Sequence, residues 1–294
     1  MNKMKHLSAV ALTALTMAAC GNGKSGEAAV DTMTQTKNQY GVSLCCESDC
    51  VLIYGITDRE GEQSVDLFRG SADDALLDSL AAGQSGFRSA FNVFVACGRA
   101  DYDDTAHHII LFDAGLGHQA GGQMVERMRD EGIDPEAVEA VCLTHLHPDH
   151  IGGLLDEGRV VFPNATLYLS KAEHDSGLGN ERWQQVVQAY GSDRVKTFAD
   201  GETICFDMVK THVVPGHTPG HTLYEVGSCL IAGDLLHAQD LQLTHPEFCA
   251  RYDGDPAAAR TVRRQTYDQL RHSGLLLCGA HCYDHFISLR DEER

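Results

Sequence analysis

The chain has 294 residues and a formal net charge of −19, from 23 Lys and Arg against 42 Asp and Glu. Hydrophobic residues at 43% and charged residues at 22% are an ordinary globular balance, which excludes a disordered chain, a collagen-like repeat and a coiled-coil rod. The acidity argues against a nucleic-acid partner, and the 16 His and 11 Cys direct attention to metals and disulfides.

The first elements are an address. Lys3 and Lys5 form a short basic region, and residues 7–19 then run without a charge. That is short of the roughly 20 residues a membrane-spanning helix needs. The run ends Met17-Ala18-Ala19-Cys20, which resembles a lipobox. Residues 1–19 are expected to be a lipoprotein signal peptide, with Cys20 the lipidated residue of an exported, membrane-anchored protein of the periplasm or cell envelope. Losing Lys3 and Lys5 makes the mature chain two charges more negative. Residues 20–40, starting on a Gly- and Ser-rich stretch, read as a flexible tether. Residues 41–294 read as one domain, long enough for a full core.

Within that domain, residues 51–57 read as a strand. Residues 58–88 are polar, with a short helix expected around 72–82. Two apolar runs of strand length, 91–97 and 107–112, are separated by a polar stretch and suit a hairpin. A helical pattern follows Gly121-Gly122 through Glu131, and Asp134-Pro135 opens a short helix. Strands are expected at 140–144, 166–169, 203–206, 209–214, 222–226, 229–232 and 275–278, and helices at 171–176 and 181–190. Asp255-Pro256 opens the clearest helix, which ends near His272 before Gly274. Strands in two groups with helices outside suggest an α/β sandwich of four layers, two mixed sheets flanked by helices.

The chemistry concentrates at Thr144-His145-Leu146-His147-Pro148-Asp149-His150, directly after a buried strand. Imidazole and carboxylate are the donors that a divalent transition ion favours. In extended backbone, His145 and His147 point to one side and can grip one ion, while Asp149 and His150, beyond the turn at Pro148, can face a neighbouring ion. Gly152-Gly153 lets the chain turn closely beneath them. Three more donor positions sit where strands emerge: His217 and His221 in a Gly- and Pro-shaped loop, Asp234 after Gly233, and His281 after Gly279-Ala280.

The ordered set H-x-H-x-D-H, G-H-T-x-G-H, G-D and G-x-H resembles the metallo-β-lactamase superfamily of binuclear hydrolases, over residues 40–288. The resemblance implies an αββα sandwich. By motif position it puts His145, His147 and His217 on a first ion and Asp149, His150 and His281 on a second, with Asp234 bridging. It gives Asp113 and His221 supporting roles behind the ligands. The late C-terminal histidine is similar to the methyl-parathion-hydrolase and N-acyl-homoserine-lactonase subgroup. The cofactors implied are two divalent ions, zinc first, with manganese or iron as alternatives.

Two such ions about 3.5–4 Å apart would share a water, and the resulting hydroxide would attack an ester-like centre such as a lactone. Asp149 would hold that water and pass a proton. His237, where some lactonases of the subgroup carry a tyrosine, would donate one. A β-lactamase or a phosphotriesterase is the alternative, and a non-catalytic metal- or ligand-binding lipoprotein is the alternative of a different class. The substrate would be a small molecule, with Phe87, Phe91, Leu241 and Phe248 as candidate apolar contacts and His285 as a further pocket candidate. The cysteines after Cys20 have spacings poor for structural zinc, and read as one or two disulfides plus buried thiols.

Overall fold

Along the strand His108–Phe112, successive side chains enter different layers. Leu111 packs with Val93, Val95 and Val141, whereas Ile110 and Phe112 pack with Phe94, Ala96 and Cys142. This two-residue period is that of a sheet buried on both faces, and it accounts for the near-continuous apolar runs. The computed structural model describes residues 33–34, 37–38, 41–48, 51–98 and 107–290. The signal segment and Cys20 lie outside the described residues, as do the side chains of Cys46 and Cys50.

The larger sheet has eight strands, in the order Met33–Thr34, Val42–Ser48, Val51–Ser64, Gly86–Gly98, His108–Phe112, Ala140–Cys142, Thr166–Ser170 and Val195–Phe198. Its first five strands pair antiparallel and the rest parallel. The smaller sheet runs Thr203–Ile204, Val209–Val213, Thr222–Val226, Cys229–Gly233 and Leu276–Gly279, with only the last pair parallel. One apolar layer joins the facing sheets, with Ile110, Phe112 and Phe94 meeting Tyr224, Ile231 and Cys278. On the outer face of the large sheet lie the helices Met124–Asp130 and Glu181–Tyr190, anchored by Met128, Trp183 and Val186. On the outer face of the small sheet lies the helix Pro256–Ser273, through Tyr267 and Leu270. The four layers expected from the sequence are therefore present.

Several elements depart from expectation. The polar stretch after residue 57 continues as strand to Ser64, pairing with Gly86–Phe91. It is polar throughout, with Arg59, Glu60 and Glu62 exposed and Asp58 buried on the Leu116 and Met124 N–H groups, so no apolar run marks it. The helix expected at 72–82 is Asp74–Ala81, capped by the Asp73 side chain. Met33–Thr34 pairs with Cys45 and Cys46, so the sheet begins inside the segment read as tether. Cys97, Cys142, Cys205, Cys229, Cys249, Cys278 and Cys282 are all free thiols, which removes the expected disulfides among them. Cys142 and Cys205, 3.4 Å apart between sulfurs, are far beyond a bond of about 2.05 Å.

Candidate metal centre

The strand Ala140–Cys142 ends beneath the sandwich rim and hands the chain to Thr144 and His145. Here Asp113, which follows the neighbouring strand with φ of 60°, fixes the turn. Its Oδ1 accepts from the Thr144 backbone N–H and its Oδ2 from the Thr144 hydroxyl, both at 2.8 Å. Oδ2 also takes His150 Nδ1 at 2.8 Å. The chain can fold this tightly because Gly152 has no side chain: a Cβ there would lie 2.1 Å from the Leu116 carbonyl oxygen.

Two groups of donors converge on this rim. Nδ1 of His147 and Nε2 of His217 lie 3.0 Å apart. Oδ2 of Asp234 is 3.2 Å from His217 Nε2 and 3.7 Å from His145 Nε2. On the other side, Oδ1 of Asp234 is 2.9 Å from His150 Nε2 and 3.2 Å from His281 Nε2. Oδ2 of Asp149 faces the same place, 3.5 Å from His281 Nε2 and 3.8 Å from His150 Nε2. The two oxygens of Asp234 thus face different groups. Four donors at about 2.0–2.1 Å from one zinc ion stand about 3.3–3.4 Å apart, close to the separations seen.

Two further observations show that this donor set fits divalent ions. His145 Nε2, His150 Nε2 and Asp234 Oδ1 are buried without a hydrogen bond, an arrangement that is costly unless something fills it. The charges point the same way. Burial alone would raise the Asp234 carboxyl, but the imidazoles of His281, His150, His145 and His217 outweigh it and hold it well below the usual carboxylate range. Burial would lower His217, but Asp234 and Asp253 raise it to about 9. Burial likewise opposes the charged forms of His150 and His281, yet the carboxylates lift both above an ordinary imidazole. The carboxylates thus favour positive charge at His150, His217 and His281, whereas burial and the neighbouring imidazoles hold His145 well below its ordinary value. Burial depresses His147 to about 4 and His221 to about 3, leaving both neutral as donors or acceptors.

The supports are as ordered as the donors. His221 Nε2 accepts from the Asp234 N–H at 3.1 Å, so it orients the segment carrying Asp234. Gly233 permits that contact: with φ of 47°, its Cβ would lie 2.8 Å from His221 Nε2 and Thr144. His281 Nδ1 donates to the Ala90 carbonyl at 3.0 Å.

The fold is shared with solved structures. A hydrolase of the beta-lactamase superfamily named AbOPH superposes with a TM-score of 0.70 at 23% identity, covering 85% of this chain and 97% of its own. AidC, a dizinc quorum-quenching lactonase in complex with a homoserine product, superposes with a TM-score of 0.67 at 21% identity, covering 83% and 95%. The sequence model of the metallo-beta-lactamase superfamily matches residues 104–274, more than half of the chain. The chain belongs to the metallo-beta-lactamase superfamily. Within that superfamily it is similar to the N-acyl homoserine lactonase AttM of Agrobacterium fabrum, 31% identical over 119 residues. It is also similar to the hydroxyacylglutathione hydrolase of Shewanella denitrificans, 29% identical over 100 residues. These matches span about a third of this chain, and 41% and 33% of the two relatives. His281 lies beyond the span of the superfamily model and is brought to the site by the strand Leu276–Gly279.

A cleft of about 400 Å³ opens over these donors, lined by Phe91, His147, Asp149, Asp234, Tyr252 and His281 among others. A second, of about 490 Å³, shares Phe91, Pro148 and Asp149 with it. Of the expected apolar contacts, only Phe91 lines these clefts. Phe87, Leu241 and Phe248 form a separate buried cluster with Phe68 and Leu77, because the helices there need a core of their own. His285 is buried away from the donors, its Nε2 bonded to the Thr57 hydroxyl at 2.9 Å. His237 is fully buried, with Nε2 3.2 Å from Asp234 Oδ2, and its ring stacks on that of His281 and lies 5.8 Å from that of Tyr252, both of which line the cleft.

Three residues at the site carried no signal in the sequence. Glu173, on a short helix, accepts from the Leu146 N–H through Oε1, and from the Thr218 hydroxyl and Gly220 N–H through Oε2. It clasps the loops of His147 and His217 together. Asp253 takes His217 Nδ1 at 2.9 Å. Tyr252, 56% exposed, stands at the cleft mouth. Nothing in their local pattern separates them from ordinary loop and helix residues.

Proposed function

We propose that the chain is a dinuclear metal-dependent hydrolase of small ester-like substrates, with lactones foremost. The observation that carries this is the pair of donor groups sharing Asp234: His145, His147 and His217 on one oxygen, and Asp149, His150 and His281 on the other. These seven residues would hold two divalent ions, zinc foremost. When bound, such ions supply Lewis acidity and a water activated at neutral pH.

The chain's own residues do the rest. Asp149, at the cleft edge with its side chain 23% exposed, is placed to take and pass a proton. Asp113 and Asp253 fix the tautomers of His150 and His217. His237, beside Asp234 and the cleft residue Tyr252, is placed to donate a proton to a departing group. Phe91 and Tyr252 offer apolar walls to a tail or leaving group. The formal charge of −19 favours a neutral substrate over a phosphate-bearing one. Residues 3–20 support export and a lipid anchor on Cys20, which fatty-acid labelling of wild type against Cys20→Ser would test.

The decisive experiment is turnover by protein supplied with zinc or manganese, on lactones beside aryl phosphotriesters, a thioester and a chromogenic cephalosporin. Lactone hydrolysis lost in His145→Ala/His147→Ala is the expected result. Cleavage of the cephalosporin alone would replace this reading with a β-lactamase. Failure on every substrate with both ions bound would favour the non-catalytic binding protein.

A further inference from the structure

Arg263 stands in the middle of the helix Pro256–Ser273 and has no exposure. Removing a guanidinium from water costs several kcal/mol unless its donors are matched. Its Nε donates to the Leu235 carbonyl at 2.6 Å, and Nη1 to the carbonyls of Pro246 and Phe248 at 2.8 and 2.7 Å. Nη2 has no hydrogen bond and faces Oδ2 of Asp253 at 3.5 Å, an oxygen equally without one. The other oxygen of Asp253 holds His217. One cation therefore braces two parts of the candidate centre: the residue that follows Asp234, and the carboxylate behind His217. The opposite donor group is held differently, His281 by the Ala90 carbonyl and His150 by Asp113.

We infer that Arg263, acting through Asp253, is a positioning residue that sets how tightly the His145, His147 and His217 half of the centre holds its ion, with no equal effect on the other half. The inference rests on the metal-centre reading above. A carboxylate on Nδ1 selects the tautomer whose Nε2 lone pair faces the ion, and makes that nitrogen a stronger donor. The guanidinium keeps this carboxylate aimed at the ring, and its three carbonyl bonds stop it from swinging away. A lysine would keep the charge but not the fork of donors.

The test is a competition titration of zinc against a chromophoric chelator, with cobalt(II) absorption to follow the two positions separately. Wild type, Arg263→Met, Arg263→Lys and Asp253→Asn would be compared at equal folded fraction by circular dichroism. Wild type is expected to take two ions. Arg263→Met and Asp253→Asn should keep one ion at wild-type affinity and hold the other about 10–100-fold more weakly, with Arg263→Lys in between. Should Arg263→Met not fold, Asp253→Asn, which preserves volume, carries the comparison. Two ions held at wild-type affinity in the folded variants, or both weakened alike, would overturn the inference and leave the metal centre standing. A wild type that takes up no ion would overturn both.

Discussion

The two halves of the centre share Asp234 but are supported by different parts of the chain. His150 is held by Asp113 and His281 by the Ala90 main-chain carbonyl. Both supports belong to the large sheet: Asp113 follows the strand His108–Phe112, and Ala90 lies in Gly86–Gly98. In the other half, His145 reaches the same rim through Thr144 and Asp113, while His147 and His217 draw on side chains from helices and loops: Glu173, Asp253 and, through it, Arg263. One half is built into the sheet rim and the other is clasped from outside. The rim half should therefore tolerate changes in the helices, and the clasped half should not.

Removing the shared residue breaks the comparison altogether. Asp234→Ala deprives both groups of a donor, so turnover of the best substrate should fall by more than the roughly 100-fold upper end for a group that merely orients a ligand. Steady-state kinetics with metal analysis on the same sample would check it. Glu173→Ala acts on the clasp. It leaves three buried groups, the Leu146 N–H, the Thr218 hydroxyl and the Gly220 N–H, without their acceptor. At about 1–3 kcal/mol for each, stability to urea should drop by about 3 kcal/mol or more.

Asp113→Asn sharpens the contrast from the rim side. It should lower turnover about 10–100-fold and, in a chelator titration, weaken the ion facing His150 more than the ion facing His217, because Asp113 bonds His150 directly and reaches His145 only through Thr144. His285→Gln is the control within the same C-terminal segment. Burial holds the His285 imidazole well below its ordinary 6.5, and Lys37 and Arg127 add to this. The unfolded chain takes a proton near that value while the folded chain does not. The stability is thus present above pH 6.5 and is lost as pH falls below it, at about 1.4 kcal/mol per pH unit for one proton. Urea unfolding above and below pH 6.5 should show a shallower acid limb in the variant, with metal content unchanged.

The same contrast marks what could be read without coordinates. The donors were legible because each sits where a buried strand ends, so both residue type and position announce them. His145, His147, Asp149 and His150 also fall within six residues. The four layers were legible because the strands are buried on both faces and read as apolar runs. Glu173 and Asp253 were not legible. They meet the centre through tertiary packing, and in sequence they are a first-turn helix acid and a loop acid before a helix cap. The strand continuing to Ser64 was hidden by its polar run, buried at Asp58 and exposed at Arg59, Glu60 and Glu62. The expected pocket residues Phe87, Leu241 and Phe248 could not be told from core, since an apolar side chain serves either use.

The account turns on whether one chain holds two ions through one carboxylate. Elemental analysis of the purified protein after zinc supplementation and gel filtration tests this most directly. Two ions per chain in the wild type, falling to fewer than one in Asp234→Ala, is the result expected. Well under one ion per chain in the folded wild type would contradict it.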